Sequence, residues 1–351
     1  MKNKGFFQRF ILPLILVVGI REVSRQIYHA ASARVRIKRH KALPCRKSVK
    51  WARAVFLSFV LLASGCIGVA DKNWIVSRQN QFNIQRQAVD CAAIDLQNAP
   101  SEQQDLNHKT VAQTLPEIGL NAGGFSFSTW NIRRGKAEKW NDDFIKICRS
   151  TDILILQEAS LSDNLKSLLQ QEDLQWDLAM AFTYQNIEVG VLTASKVTPN
   201  LVCSFSDKEP ITRIPKSTLV TRYPISGKHQ ELLVANIHAI NFTLGYGAFQ
   251  KQCDQLESML AGHQGPMIVA GDFNTWSKGR MSRVNAMANR LELSSVSFNE
   301  NLKSKFFGHY VDHVFYRGLE KKNAKTLTVA TSDHNPLTVV FKLADKPIDG
   351  I

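Results

Sequence analysis

From residue 125 onward the sequence predicts an α+β domain, a four-layer sandwich of two packed mixed β-sheets flanked by helices. Three observations predict it. Short apolar runs of strand length alternate with segments of helical spacing, a pattern that calls for helices covering sheets. Some of the runs follow one another closely enough to pair as hairpins, so the sheets are mixed rather than wholly parallel. Six short polar segments punctuate the region: Thr129-Trp130-Asn131, Gln157-Glu158, Asn236-Ile237-His238, Gly271-Asp272-Phe273-Asn274, Asp312-His313-Val314-Phe315 and Ser332-Asp333-His334. Five of them sit at the end of an apolar run, and the ends of buried strands are where polar residues from distant parts of an α/β chain meet.

Taken in order, residues 125–132 alternate like an entering strand, 140–148 have a helical pattern and 153–156 read as a buried strand. Helical spacing returns at 161–170, followed by strands at 189–193, 217–223 and 232–237. An amphipathic helix over 247–262 leads to a buried strand at 267–270, a helix at 280–290 and strands at 311–316 and 337–341. No internal repeat is visible.

The chain has 351 residues, of which 44% are hydrophobic and 21% charged, ordinary for a folded protein. Its net charge of +14 is unevenly spread: residues 1–53 hold 14 Lys/Arg and one Asp/Glu, a balance of +13, and the rest is nearly neutral. The high isoelectric point is therefore no footprint of a nucleic-acid track on the folded region. Residues 54–70 carry no charge and follow Arg46, Lys47, Lys50 and Arg53, as in an export signal or signal anchor. This segment predicts attachment to the inner membrane with the folded domain outside the cytoplasm; a cytoplasmic protein with a buried helix here is the alternative. Leu62-Ala63-Ser64-Gly65-Cys66 resembles a lipoprotein-processing box, with Ala63 where a larger aliphatic residue is usual. A shorter apolar run at 10–20 contains Pro13, and 34–53 is a basic block that would stay inside. Residues 71–124 are rich in Gln and Asn and read as a polar linker, with a helix expected over 74–96 and a Gly123-Gly124 hinge before the domain at 125–342; 343–351 form a tail. The six cysteines (Cys45, Cys66, Cys91, Cys148, Cys203, Cys253) show no metal-ribbon spacing, Cys148 and Cys203 read as small core residues, and no disulfide framework is expected.

The polar segments carry the chemistry. Glu158 closes the run Ile153-Leu154-Ile155-Leu156-Gln157, where a carboxylate is costly unless it faces solvent, is hydrogen-bonded or binds a cation. Asp272 and Asn274 share one side of an extended segment after Gly271, in a pattern that a plain turn would also favour. His238 ends a strand with Asn236 on its face; a structural histidine and a catalytic one both fit. Gathered together, such carboxylates, amides and imidazoles could hold a hard divalent cation through oxygen and place a base beside a phosphate.

The six segments, in this order, resemble the endonuclease/exonuclease/phosphatase superfamily, also called DNase I-like, over roughly residues 125–341. The wording "NIHAINFTLG", "GDFNTWSKGRM", "DHVFYRGL" and "SDHNPL" is similar to its YafD-like bacterial branch. The resemblance implies the four-layer fold and a Mg²⁺- or Mn²⁺-dependent hydrolase acting on a phosphate ester. Glu158 would be the principal metal ligand, with Asn131 beside it and Asp333 contributing. Asp272 would activate the attacking water, Asn274 hold the water or a phosphate oxygen, and His238 and His334 lie against the scissile phosphate, His334 oriented by Asp312. Arg133, Arg134, Arg213, Lys216, Lys278 and Arg280 are expected on rim loops, where they could grip substrate phosphates or simply be solvated. Trp130 and Trp276 read as packing residues, and His309 and His313 match no role. Substrates across the superfamily include nucleic acids, phospholipids and small phosphate esters, so the fold alone does not choose among them. A non-catalytic, membrane-attached binding module retaining the fold is the rival reading; the intact polar set argues against it.

Overall fold

The computed structural model describes residues 67–69, 71–78, 84–93, 115–243 and 245–345, all within one folded unit spanning Leu61–Ile351. Its strands are β1 (Ile67–Val69), β2 (Trp74–Arg78), β3 (Ile84–Ala88), β4 (Phe125–Asn131), β5 (Ile153–Ser160), β6 (Gln175–Tyr184), β7 (Ile187–Ser195), β8 (Leu201–Lys208), β9 (Pro215–Pro224) and β10 (Glu231–His238). They continue as β11 (Met267–Asp272), β12 (Ser294–Ser295), β13 (Lys305–Phe306), β14 (His309–Tyr310), β15 (Asp312–Arg317), β16 (Leu319–Thr326) and β17 (Leu337–Leu343). Among the described residues four α-helices interrupt them: α1 (Trp140–Arg149), α2 (Asp163–Gln171), α3 (Gly247–Leu260) and α4 (Lys278–Arg290).

Two mixed sheets result. One runs β16-β17-β4-β5-β7-β6-β2-β3 with β1 also on β6; the other runs β12-β15-β11-β10-β9-β8. Strand parity explains the four layers, because successive side chains point to opposite faces. Phe127, Ile155, Val234, Ile268, Val314, Val339 and Phe341 face inward and fill one core between the sheets. Their neighbours Leu154, Leu156, Leu192 and Ala194 face outward beneath Phe144 and Ile147 of α1 and Leu165 and Leu169 of α2. On the other sheet, Leu233, Ala235, Ile237, Val269 and Phe315 pack under Phe249, Cys253 and Leu256 of α3 and Val284 and Met287 of α4.

Each sheet is centred on one parallel pair. In the first, β4 and β5 run together with Asn131 opposite Gln157; in the second, β10 and β11 place His238 opposite Asp272. Antiparallel β15 then brings Asp312 across from Asp272. All of these polar positions continue the inward parity of their strands. The apolar sandwich runs out at one end, and the residues that continue its inner faces are the polar segments.

Three expectations need correction. The stretch expected to be helical at 74–96 is a β-hairpin, β2–β3, followed by a short 3₁₀ turn at Cys91–Ala93. Ile75 and Val76 are buried against the first sheet, so β-branched side chains and pairing with β6 override the weak helical pattern. The expected linker is anchored as well: Leu120 is buried, with its N–H donating to the Pro224 carbonyl and its carbonyl accepting from the Ser226 N–H. Cys203 is buried as expected but is bonded to Cys91, 112 residues away, so a disulfide that no spacing pattern announces fastens the hairpin's end to β8. Cys148 and Cys253 are free and buried, their thiols pushed up to about 12 by burial.

Of the uncharged segment at 54–70, only 67–69 lie within the described residues, and they form β1, antiparallel to Phe182–Tyr184 of β6. The apolar run at 10–20, the basic block and the remainder of 54–70 lie outside them, as do the last residues of the tail. Among the described residues no helix is long and apolar enough to cross a membrane.

Candidate active site

Buried amides set the relation between the two sheets. Gln157, from the first sheet, donates through Nε2 to Asn236 Oδ1 of the second at 2.8 Å. Asn236 Nδ2 donates back to the Leu192 and Leu156 carbonyls at 2.9 and 3.2 Å. Inside an apolar sandwich such groups are costly unless paired, so this network favours one offset of sheet on sheet. Gly271 is required beside it: its φ is +136°, and a Cβ there would stand 2.1 Å from the Ile237 carbonyl oxygen.

The centre of the site is Asp272, 2% exposed. Its Oδ2 accepts from Asn131 Nδ2 at 3.0 Å, and its Oδ1 from the Asn274 backbone N–H at 2.9 Å. Oδ2 also lies 3.7 Å from His238 Nε2 and 3.9 Å from His334 Nε2, so the carboxylate stands between the two histidines. Burial raises the Asp272 pKa; the positive His334 opposes that rise, and Asp312 adds to it.

His334 is held on every side. Its Nδ1 donates to Asp312, 2.8 Å from Oδ2 and 3.0 Å from Oδ1. The Trp130 indole N–H donates to its carbonyl at 2.9 Å, and the Ser332 hydroxyl donates to the Asn131 carbonyl at 2.7 Å, docking the Ser332-Asp333-His334 segment onto the end of β4. Burial alone would discharge this imidazole, but Asp312 and Asp272 outweigh it and raise its pKa to about 10. It is therefore an imidazolium at neutral pH, with Nε2–H free of Asp312 and turned toward Asp272.

His238 has the opposite environment. It is buried, and its Nε2 lies 2.9 Å from Lys216 Nζ. Burial, then the Lys216 and His334 charges, hold its pKa well below the ordinary 6.5. His313 is discharged too, lowered to about 3 by burial and Lys303; its Nε2 meets the Thr275 hydroxyl at 2.7 Å, a structural bond on the outward face of β15.

Glu158 sits at a break in the β5–β7 ladder, where the register shifts between Leu156 and Ala159, and its φ of 51° turns it out of the strand. Its carboxylate is half-buried and makes no described hydrogen bond or ion pair. A carboxylate without a described partner could take a hard cation. Donor atoms of Asp272, Asp312 and His334 also lie within 4.8 Å of one another. There His334 Nδ1 is already bonded to Asp312, so Glu158 and the carboxylates of this cluster are the groups that could hold a cation. The Asp333 side chain is 40% exposed, with one carboxylate oxygen 4.0 Å from Arg133 Nε.

The remaining expected residues divide. Asn274 has φ 50° and gives its Nδ2 to the Ala239 carbonyl at 2.8 Å, which leaves its oxygen for other partners. Arg133 and Arg134 follow Asn131 with left-handed φ of 48° and 67°, and Arg134 lies 5.5 Å over the Tyr184 ring. Arg213 and Lys278 are exposed, on the turn before β9 and at the start of α4. Arg280 is no rim residue: it is fully buried between the Phe249 and Trp276 rings, 4.4 and 4.5 Å from their centres. Its guanidinium donates to the Ile240, Asn241 and Asn274 carbonyls, bracing the loops that follow His238 and Asn274. Sequence reasoning also missed Glu209, buried and accepting from the Asn241 N–H at 2.7 Å; its position in a plain polar turn gave no signal. Trp130 is a packing residue as expected, 1% exposed.

Comparison with known proteins gives the same framework. Residues 128–334 match the model of the Endonuclease/Exonuclease/phosphatase family. A UPF0294 protein of Vibrio campbellii is 37% identical over 232 residues, covering 66% of this chain and 82% of the relative. A UPF0294 protein of Klebsiella pneumoniae is 37% identical over 212 residues, 60% of this chain and 80% of the relative. Among solved structures, an endonuclease/exonuclease/phosphatase from Beutenbergia cavernae has a TM-score of 0.53 at 16% identity, covering 64% of this chain and 73% of its own. The catalytic domain of human Nocturnin has a TM-score of 0.51 at 19% identity, covering 65% and 97%. With two mixed sheets, flanking helices and a family match over more than half its length, the chain belongs to the endonuclease/exonuclease/phosphatase family.

Proposed function

We propose that this protein is a metal-dependent phosphoesterase in which water attacks phosphorus in line. The observation that carries the reading is the Asp272–His334–Asp312 array: a buried carboxylate whose pKa is raised, beside an imidazolium whose second nitrogen is fixed by another carboxylate. Asp272 takes a proton from the attacking water. His334 Nε2–H gives its proton to the leaving ester oxygen, and Asp312 holds the ring in the orientation for that transfer. The oxygen of Asn274 orients the water or a phosphate oxygen. Glu158, with Asn131 and Asp333, would hold Mg²⁺ or Mn²⁺, which when bound neutralises charge on the phosphate. The exposed Arg133, Arg213 and Lys278 and the half-buried Arg134 are bases available to a phosphate-ester substrate. A binding module that merely kept the fold would have no use for an imidazolium poised between two carboxylates.

The test is hydrolysis by the purified full chain of bis-p-nitrophenyl phosphate, p-nitrophenyl phosphate, oligonucleotides and phospholipid vesicles, with Mg²⁺, Mn²⁺ or excess EDTA. Turnover with metal, lost in EDTA and reduced by orders of magnitude in Glu158→Gln, is expected. Undiminished turnover in EDTA would sink the metal assignment, and no turnover of any ester would return the protein to the binding-module reading.

The proposal places the catalytic domain outside the cytoplasm. The basic N-terminal region followed by an uncharged segment supports this, as does the Cys91–Cys203 bond, since disulfides persist in oxidising compartments. With β1 beginning at Ile67, the uncharged stretch before it is 54–66, the length of an export-signal core rather than of a span of about 20 residues. Attachment through Cys66, next to β1, then becomes the favoured form of anchoring. An alkaline phosphatase fusion after Ile351 should be active; an inactive fusion, with the protein in the soluble cytoplasmic fraction, would overturn the placement.

A further inference from the structure

We propose that Lys216, held by His238, is the catalytic cation that stabilises the non-bridging phosphate oxygens, and that His238 acts as a neutral anchor rather than as an acid. The inference rests on the phosphoesterase reading and assigns it a residue that the family motifs do not contain. An ammonium can only donate, so with Lys216 Nζ at 2.9 Å the His238 Nε2 must be the acceptor and its ring proton must sit on Nδ1. In that tautomer His238 has no proton to offer from the nitrogen that faces Asp272 at 3.7 Å. The positive charge on this side of the site is therefore that of the lysine.

Lys216 sits half-buried on β9 and takes part in none of the ion pairs among the described residues, yet its charge is felt by Asp272. Its single described bond, to His238, uses one of three N–H donors and leaves two for an anion. Asp272 thus has His334 Nε2 on one side and the Lys216–His238 pair on the other, with the two cationic groups serving different atoms. His334 faces the leaving oxygen and transfers a proton. Lys216 transfers none: as the bond from water oxygen to phosphorus forms and the ester bond breaks, it balances the charge that gathers on the non-bridging oxygens. Proton balance is complete without it, from water to Asp272 and from His334 to the leaving oxygen.

The experiment compares Lys216→Met, His238→Gln and the double variant in the full chain. It measures turnover of bis-p-nitrophenyl phosphate and of an alkyl phosphodiester, and binding of inorganic phosphate by calorimetry. Lys216→Met should lose about 100-fold or more in kcat, by a similar factor for both esters, and bind phosphate about tenfold more weakly. His238→Gln, whose side-chain oxygen can still accept from Lys216, should lose clearly less, and the double variant should match Lys216→Met. A loss confined to the alkyl ester would make Lys216 a proton donor to the leaving group and overturn the proposal. So would Lys216→Met retaining turnover and phosphate affinity within twofold of the wild type. If the wild type hydrolyses no ester the phosphoesterase reading fails by itself, and the phosphate affinities of the variants still decide whether Lys216 is an anion ligand.

Discussion

Two histidine pockets a few ångströms apart show how little residue type alone decides. His238 is buried and the His334 side chain is 17% exposed, both end their motifs, and both lie under 4 Å from the same Asp272 oxygen. Around His334 the chain places Asp312 and Asp272, which overcome burial and raise its pKa to about 10. Around His238 it places Lys216, which adds to burial and holds the imidazole neutral. One ring is a cation with a proton to give, the other an acceptor that positions someone else's charge. In the proposed mechanism the pair therefore divides the labour of phosphate-ester hydrolysis instead of duplicating it.

Removing the group that both pockets share should have the largest effect. Asp272→Asn keeps the shape but takes away the base and half of the countercharge of His334, so kcat should fall by a factor on the order of 10⁴. A loss of less than tenfold in steady-state assays would show that neither pocket works through Asp272.

A narrower cut separates the pockets. Asp312→Asn and His334→Gln should each cost about 10²- to 10³-fold, with the double variant little worse than either, because the two act as a unit. Strictly additive losses in log kcat would show that they act independently.

The pH dependence sharpens the same comparison. His334 is charged below its pKa, and the folded value of about 10 stands above the ordinary 6.5. Activity that needs the imidazolium should persist through neutral pH and fall only as the pH rises through about 10. The stability contributed by the Asp312–His334 pair follows the same sign: fully present below 6.5 and lost as the pH rises through about 10. In Asp312→Asn the alkaline limb should move down toward the ordinary histidine range. A wild-type limb already near 6.5 would remove the contrast between the pockets.

Much of this was legible beforehand, for a physical reason. Strand parity is written in the sequence, so Ile153-Leu154-Ile155-Leu156 ahead of Gln157-Glu158 and Met267-Ile268-Val269-Ala270 ahead of Asp272 announce both the sandwich and the polar end of it. What stayed hidden depends on contacts between distant, unpatterned residues. Lys216 lies in a polar turn-to-strand stretch 22 residues before His238, with nothing in its neighbourhood to mark it as that histidine's partner. Arg280 looks like a rim base until Phe249 and Trp276 close over it. The amide-rich hairpin at β2–β3 reads as linker because its stability comes from β6 and from the Cys91–Cys203 bond, neither of which is local.

That disulfide supplies the smallest expected effect on the chemistry. It ties the N-terminal hairpin to the edge strand β8, away from both histidines, so reducing it should lower the melting temperature, consistent with a stabilisation of about 2–4 kcal/mol. Turnover below the transition should change by less than twofold. A larger loss of turnover would mean that the hairpin helps shape one of the pockets.

The contrast between the pockets can be read without knowing the substrate, by nitrogen-15 NMR of the histidine side chains in the metal-free protein in phosphate-free buffer at pH 7.5. His334 should have both ring nitrogens protonated, and His238 should be a neutral ring with its proton on Nδ1. A neutral His334, or a His238 protonated on Nε2, would contradict this.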